Sequence, residues 1–133
     1  MAGSQMLALW EGRLVMSINS RAKGKVGELE FAHYLKAVPG VEARRGQQFS
    51  GGGDSPDVVT NIKGVHWEVK RVEAGNPYNW LAQAELDADD VDVPFPQRPM
   101  PVVAHRKNKR NWIAILGMDD FIDLLKKAGY ING

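Results

Sequence analysis

The sequence predicts an α/β fold, a mixed β-sheet sandwiched by helices, in the order helix, three strands, helix, two strands, helix. Three observations predict it. A helical period runs from Ser20 to about Val38 and stops at Pro39-Gly40. Val65 to Arg71 alternates strictly, with Val65, Trp67 and Val69 on one face and His66, Glu68 and Lys70 on the other. A second helical stretch then separates this strand from two more strand patterns. Antiparallel hairpins are expected wherever a connection is too short for a crossover.

Each element follows from its residues. Residues 1–19 show no sustained period and are read as an N-terminal arm or leader, leaving 20–133 as one domain. On the first helix Glu28, Phe31, Ala32, Leu35 and Val38 share one side at about 100° per residue. Glu28 is therefore a carboxylate whose neighbours at i+3, i+4 and i+7 are apolar. Val41 to Arg45 reads as a short strand, GQQFSGGGDSP as a Gly-rich loop, and Asp57 to Asn61 as a second strand. Ile62-Lys63-Gly64 turns the chain into the alternating strand. Asn76-Pro77 opens the second helix, which carries Trp80, Leu81 and Ala84 to roughly Ala88. DADDVDVPFPQRPMP is an acidic, proline-rich surface loop. Met100–His105 and Asn111–Leu116 are strands joined by RKNKR, and Asp119 or Asp120 starts a last helix that Gly129 closes.

Composition narrows the function. The 133 residues include 44% hydrophobic and 25% charged side chains, as in an ordinary folded domain. The absence of cysteine excludes disulfides, thiolate zinc sites, iron–sulfur clusters and cysteine nucleophiles. Met6–Trp10, the longest apolar stretch near the start, is too short for a signal-peptide core or a membrane span. A soluble cytoplasmic protein with no membrane partner is expected. The net charge of +1 hides a strong asymmetry: +3 over residues 21–45, −6 over 46–97 and +5 over 98–110. Two basic segments around an acidic middle suit a protein that grips a polyanion by its flanks and uses its carboxylates for chemistry.

The chemistry-bearing residues are Glu28, Asp57, Glu68 and Lys70. A period of two places Glu68 and Lys70 on one face of their strand. Asp57 follows Pro56 after the Gly-rich loop, at the mouth of the sheet. Separately these are ordinary features: a helix-edge acid, a turn aspartate and a lateral ion pair. Jointly they form an all-oxygen set suited to Mg2+, with Mn2+ as substitute, rather than zinc. Such an ion can lower the pKa of a bound water and offset charge on a phosphate oxygen. An ammonium group beside it can orient the water and stabilise developing negative charge.

The set Glu28, Pro56-Asp57, Glu68-Val69-Lys70 resembles the signature of the PD-(D/E)XK nuclease superfamily. The stretch Lys23-Gly24-Lys25-Val26-Gly27-Glu28-Leu29-Glu30 is similar to the opening of archaeal-type Holliday-junction resolvases. PVVAHRKNKRNWIAI looks more like the small phage and bacterial nucleases of that superfamily. The resemblance implies a restriction-endonuclease-like core (αβββαβ) and Mg2+-dependent hydrolysis of DNA to 5′-phosphate and 3′-hydroxyl ends. It also implies a four-way junction or other branched DNA as substrate and a homodimer, in a bacterial or phage-infected cell. Asp57, Glu68 and the Val69 carbonyl are then the metal ligands, Lys70 is the catalytic lysine, and Glu28 completes the site through a metal or its water.

DNA contacts are expected from Arg21, Lys23 and Lys25 at the start of the helix, Arg44 and Arg45 beside the Gly-rich loop, and Ser50 within it. Arg106, Lys107, Lys109 and Arg110 in the basic turn complete the set. His33 and His66 are read as surface residues, His105 as a strand-end residue near phosphate, Gln83 as an exposed helix glutamine, and Trp67 and Trp112 as core. Three rivals stand beside the branched-DNA nuclease. One is a nuclease of linear or single-stranded DNA for repair or phage genome processing, and another a non-catalytic DNA-binding subunit. An enzyme acting on a small phosphorylated molecule fits less well, because the basic residues spread over three segments.

Overall fold

The computed structural model describes residues 12–46, 48–49, 52–53, 56–89 and 98–132, with side chains over 24–46, 56–89 and 98–132. Among the described residues three helices and seven strands follow one another: α1 (Gly12–Lys36), β1 (Ala43–Arg45), β2 (Gln48–Phe49), β3 (Gly52–Gly53), β4 (Val58–Thr60), β5 (Val65–Arg71), α2 (Pro77–Ala88), β6 (Met100–Arg106), β7 (Ile113–Ile115) and α3 (Met118–Lys127). Five strands form one mixed sheet in the order β1-β4-β5-β6-β7, while β2 and β3 pair separately as a small hairpin. β5 and β6 run parallel and the other neighbours antiparallel. This is the α/β architecture with the single parallel connection carried by α2, as the link lengths require.

One face of the sheet is covered by α1. Phe31, Ala32 and Leu35 pack with Val58, Val69 and Ala104 into the core, and Trp67 and Trp112 close against it. The Phe31 ring meets Trp67 edge-on at 5.2 Å and Trp112 at 4.9 Å, arrangements that aromatic quadrupoles favour. Gly27 lets the helix approach this face, because a Cβ there would lie 2.4 Å from Arg71 Cβ. Beyond the apolar cluster Arg71 Nε donates to Glu30 Oε1 at 3.0 Å, and Arg106 pairs with Glu30 Oε2.

The opposite face carries α2, which packs on β5 and β6 through the small buried residues Ala84 and Ala88. Asn76 caps it, its Oδ1 accepting from Tyr78 N at 2.9 Å and Asn79 N at 3.3 Å, and Pro77 occupies the first turn.

Four details differ from the sequence expectations. α1 begins at Gly12 rather than Ser20, so the boundary drawn for the 1–19 arm falls inside the helix. It ends at Lys36, and Val38, expected on the buried side, lies past the end and is exposed. The Gly-rich loop contains the β2–β3 hairpin, a two-residue pairing too short to leave a period in the sequence. Gly129 has φ +89°, the left-handed stop expected after α3. Met118 and not an aspartate opens that helix, and none of its residues is buried: Phe121 and Leu124 on its apolar side stay 43% and 40% exposed.

Candidate active site

β4 and β5 diverge at the end of their pairing, and the candidate site forms in the fork. The pairing is anchored at Val58 opposite Trp67, and the Asp57 amide donates to Trp67 O at 3.0 Å. One residue earlier the β4 chain leaves the sheet at Pro56. The Asp57 side chain takes over the vacated partner position: its Oδ2 accepts from Val69 N at 2.8 Å. Within a strand a residue's amide and carbonyl point to the same edge, so the Val69 carbonyl faces the same gap. Gly46 sets the outer wall. Its amide donates to Asp57 O at 2.7 Å, and a Cβ there would come within 2.2 Å of the Pro56 carbonyl oxygen.

Asp57 is the hub of the acidic set. Its charge acts on Glu28, which approaches from α1 on one side, and on Glu68, which lies on the α2 side of β5. Burial, ahead of the Asp57 carboxylate, pushes Glu28 above the usual carboxylate range, and Arg45 opposes this with a 2.7 Å ion pair from its Nε. Asp57 itself is raised by burial, against the Val69 amide and the Lys70 ammonium, which favour its charged form. Glu68 is pushed furthest, from an ordinary 4.5 to about 7, by burial first and then by Asp57 and Asp87. Lys70 stands on the same strand face, two residues on, and its charge favours ionisation of both Asp57 and Glu68. The four residues singled out in the sequence therefore come together, with Glu28 reaching the others through Asp57.

The basic residues divide into two groups. Lys25, Lys107, Lys109 and Arg110 are exposed. Because β6 runs parallel to β5, with His105 beside Lys70, the turn holding residues 107–110 leaves the sheet at the Lys70 end. Arg45 and Arg106 are instead tied to Glu28 and Glu30, and Arg44 Nη1 donates to Arg45 O at 3.3 Å. Arg21 and Lys23 lie in α1 with side chains outside the described residues, as does Ser50 altogether.

Two expectations are corrected. His66 is not a surface residue: it is 4% exposed under α2, and burial lowers its pKa against the Asp87 and Asp57 carboxylates, favouring the neutral ring. Asp87, counted in the sequence with the acidic loop, belongs to the last turns of α2 and faces His66 and Glu68. The alternation set His66 beside Glu68 and Lys70 but carried no signal that a helix covers that face. The signal for Asp87 was its position beside Ala84 and Ala88 on the same side of the helix. His105 is occupied by the fold, its Nε2 3.0 Å from Val72 O and its ring on Trp80 at 4.6 Å. Gln83 is exposed as expected, yet its amide donates to Asp87 Oδ1 at 3.0 Å. Among the described residues no helix is long and apolar enough to cross a membrane. No family model, curated protein or solved structure matches the chain.

Proposed function

We propose that this chain is a divalent-metal-dependent endonuclease that hydrolyses phosphodiester bonds in DNA, with branched DNA such as a four-way junction as substrate. The observation that carries the reading is the fork between β4 and β5, where Asp57, Glu68, Lys70 and the Val69 carbonyl converge. The order α1, β1, β4, β5, α2, β6 and the directions of those strands agree with the αβββαβ core that the resemblance implies.

The residues fit a divalent cation. Glu68 Oε1 is buried without a hydrogen-bond partner, and the Asp57 and Asp87 carboxylates both press on Glu68 with like charge. Such a donor set is completed by a positive ion and is otherwise unfavourable. Asp57, Glu68 and the Val69 carbonyl would hold Mg2+ or Mn2+, which would supply Lewis acidity and neutralise charge at the scissile phosphate. Lys70 orients the attacking water and stabilises charge developing on the phosphoryl oxygens. Glu28, fixed by Arg45, keeps a carboxylate on the α1 side of Asp57, placed to orient water. Lys25, Lys107, Lys109 and Arg110 hold the DNA backbone without reading bases. A homodimer would present two such sites to two strands of a junction.

The test is cleavage of a fixed four-way junction beside its component duplexes, in Mg2+ and in chelator. Metal-dependent cutting of the junction, lost in Asp57→Asn and in Glu68→Gln with folding retained, is the expected result. Equal cutting of duplex would replace the branched-DNA reading by one of linear DNA. Wild-type cutting by either variant would remove the assignment.

A further inference from the structure

A second set of donors shares Glu68 and lies on the α2 side of β5, within reach of the Asp57 charge. His66 and Glu68 from β5 and Asp87 from α2 each present a ligand atom, and these atoms lie within 4.8 Å of one another. His66 is 4% and Glu68 7% exposed, and both His66 Nε2 and Glu68 Oε1 are buried without a hydrogen-bond partner. Buried polar atoms are nearly always satisfied, so an unpartnered ring nitrogen and an unpartnered carboxylate oxygen on two residues that both belong to one close donor group call for a partner that accepts electron pairs. Asp87 is steadied from behind by Gln83, one helical turn earlier, as outer groups steady metal-bound carboxylates.

We propose that His66, Glu68 and Asp87 form a binding site for a divalent transition-metal ion, selecting Mn2+ over Mg2+. The selectivity follows from the imidazole. Three carboxylates alone would suit Mg2+, which keeps oxygen ligands and water, whereas a nitrogen donor favours the first-row transition ions. Metal–ligand bonds of about 2.1 Å set neighbouring donors roughly 3–4 Å apart, so small side-chain rotations close the trio around an ion. Three protein ligands would leave the remaining coordination positions of such an ion to water. The site stands on its own geometry and does not depend on the nuclease reading, although the shared Glu68 would place its ion beside the proposed reacting phosphate.

The test is Mn2+ titration of the tag-free, chelator-stripped chain, following free Mn2+ by electron paramagnetic resonance in the presence and absence of Mg2+. About one Mn2+ per chain should be retained against a tenfold excess of Mg2+. His66→Gln should weaken Mn2+ binding about tenfold or more while changing Mg2+ binding less than about twofold, and Gln83→Ala should weaken Mn2+ binding by a smaller factor. Unchanged Mn2+ affinity in His66→Gln, or displacement of Mn2+ by equimolar Mg2+, overturns the proposal. Should the variant fail to fold, the wild-type nuclear magnetic resonance spectrum decides. Substoichiometric Mn2+ should broaden the imidazole signals of His66 and spare those of the exposed His33, and equal broadening of both overturns the site. Mn2+ binding without DNA cleavage would remove the nuclease reading alone; Mg2+-supported cleavage without Mn2+ selectivity would remove this one alone.

Discussion

Replacing Glu68 by glutamine should make the metal-free protein more stable at alkaline pH, although the same change is expected to stop cleavage. The Glu68 carboxyl is 7% exposed and is pushed to about 7 from 4.5, chiefly by burial and then by the Asp57 and Asp87 carboxylates. Between those two values the native protein retains a proton that the unfolded chain has released. Stability therefore falls as pH rises through the window from 4.5 to about 7. Below it Glu68 is protonated in both states and costs nothing. Above it the full deficit is present. At roughly 1.4 kcal/mol for each pH unit of the gap, that deficit is about 3 kcal/mol. Glutamine imitates the protonated acid in size and lacks the charge, so Glu68→Gln removes the deficit. For a chain of this length the gain corresponds to about 10 °C in Tm. Thermal melting in chelator at pH 4.5 and pH 8 measures it. The two proteins should melt together at pH 4.5, and the variant about 10 °C higher at pH 8. Part of the cost comes from Asp57, so Asp57→Asn should recover a smaller share. A variant that melts at or below the wild-type temperature at pH 8 would refute the claim that an uncompensated buried charge is stored here.

Other substitutions probe the framework around the site. Gly27→Ala sets a methyl group 2.4 Å from Arg71 Cβ, so it should destabilise the protein by about 1–3 kcal/mol in denaturant titrations, despite the better helix propensity of alanine. Gly46→Ala pushes on the Pro56 carbonyl oxygen and so on Asp57; cleavage should fall by roughly tenfold to a hundredfold, a larger effect than its change in melting temperature explains. Asn76→Ala removes the cap of α2 and should cost about 1 kcal/mol without altering the pH dependence of stability. Lys107→Ala with Lys109→Ala should lower the dependence of DNA affinity on log salt by roughly 0.9 for each phosphate that is no longer neutralised, which a salt titration of binding reads directly.

Much of this protein was legible in one dimension. The Val65–Arg71 alternation is local physics: a period of two leaves a strand no choice about which residues share a face, and β5 has the predicted bounds. The Asn76-Pro77 start of α2 and the Gly129 stop after α3 likewise depend on backbone torsions and hydrogen bonds within a few residues. The αβββαββα order, with the β2–β3 hairpin as an addition the sequence did not announce, followed from those elements together.

What the order of residues left open was which of two chemically similar fates each polar side chain meets. The alternation that grouped His66 with Glu68 and Lys70 was silent on whether that face meets water or a helix, and α2 covers it, so His66 is buried. Arg45 and Arg106 carry the charge of phosphate-binding residues, yet Glu28 and Glu30 lie closer than any outside ligand, and long-range packing alone brings those acids near. Burial and partnership are sums over distant contacts. Sequence periodicity therefore determined the scaffold and its acidic cluster, while tertiary packing decided which of those charges are free to meet a ligand.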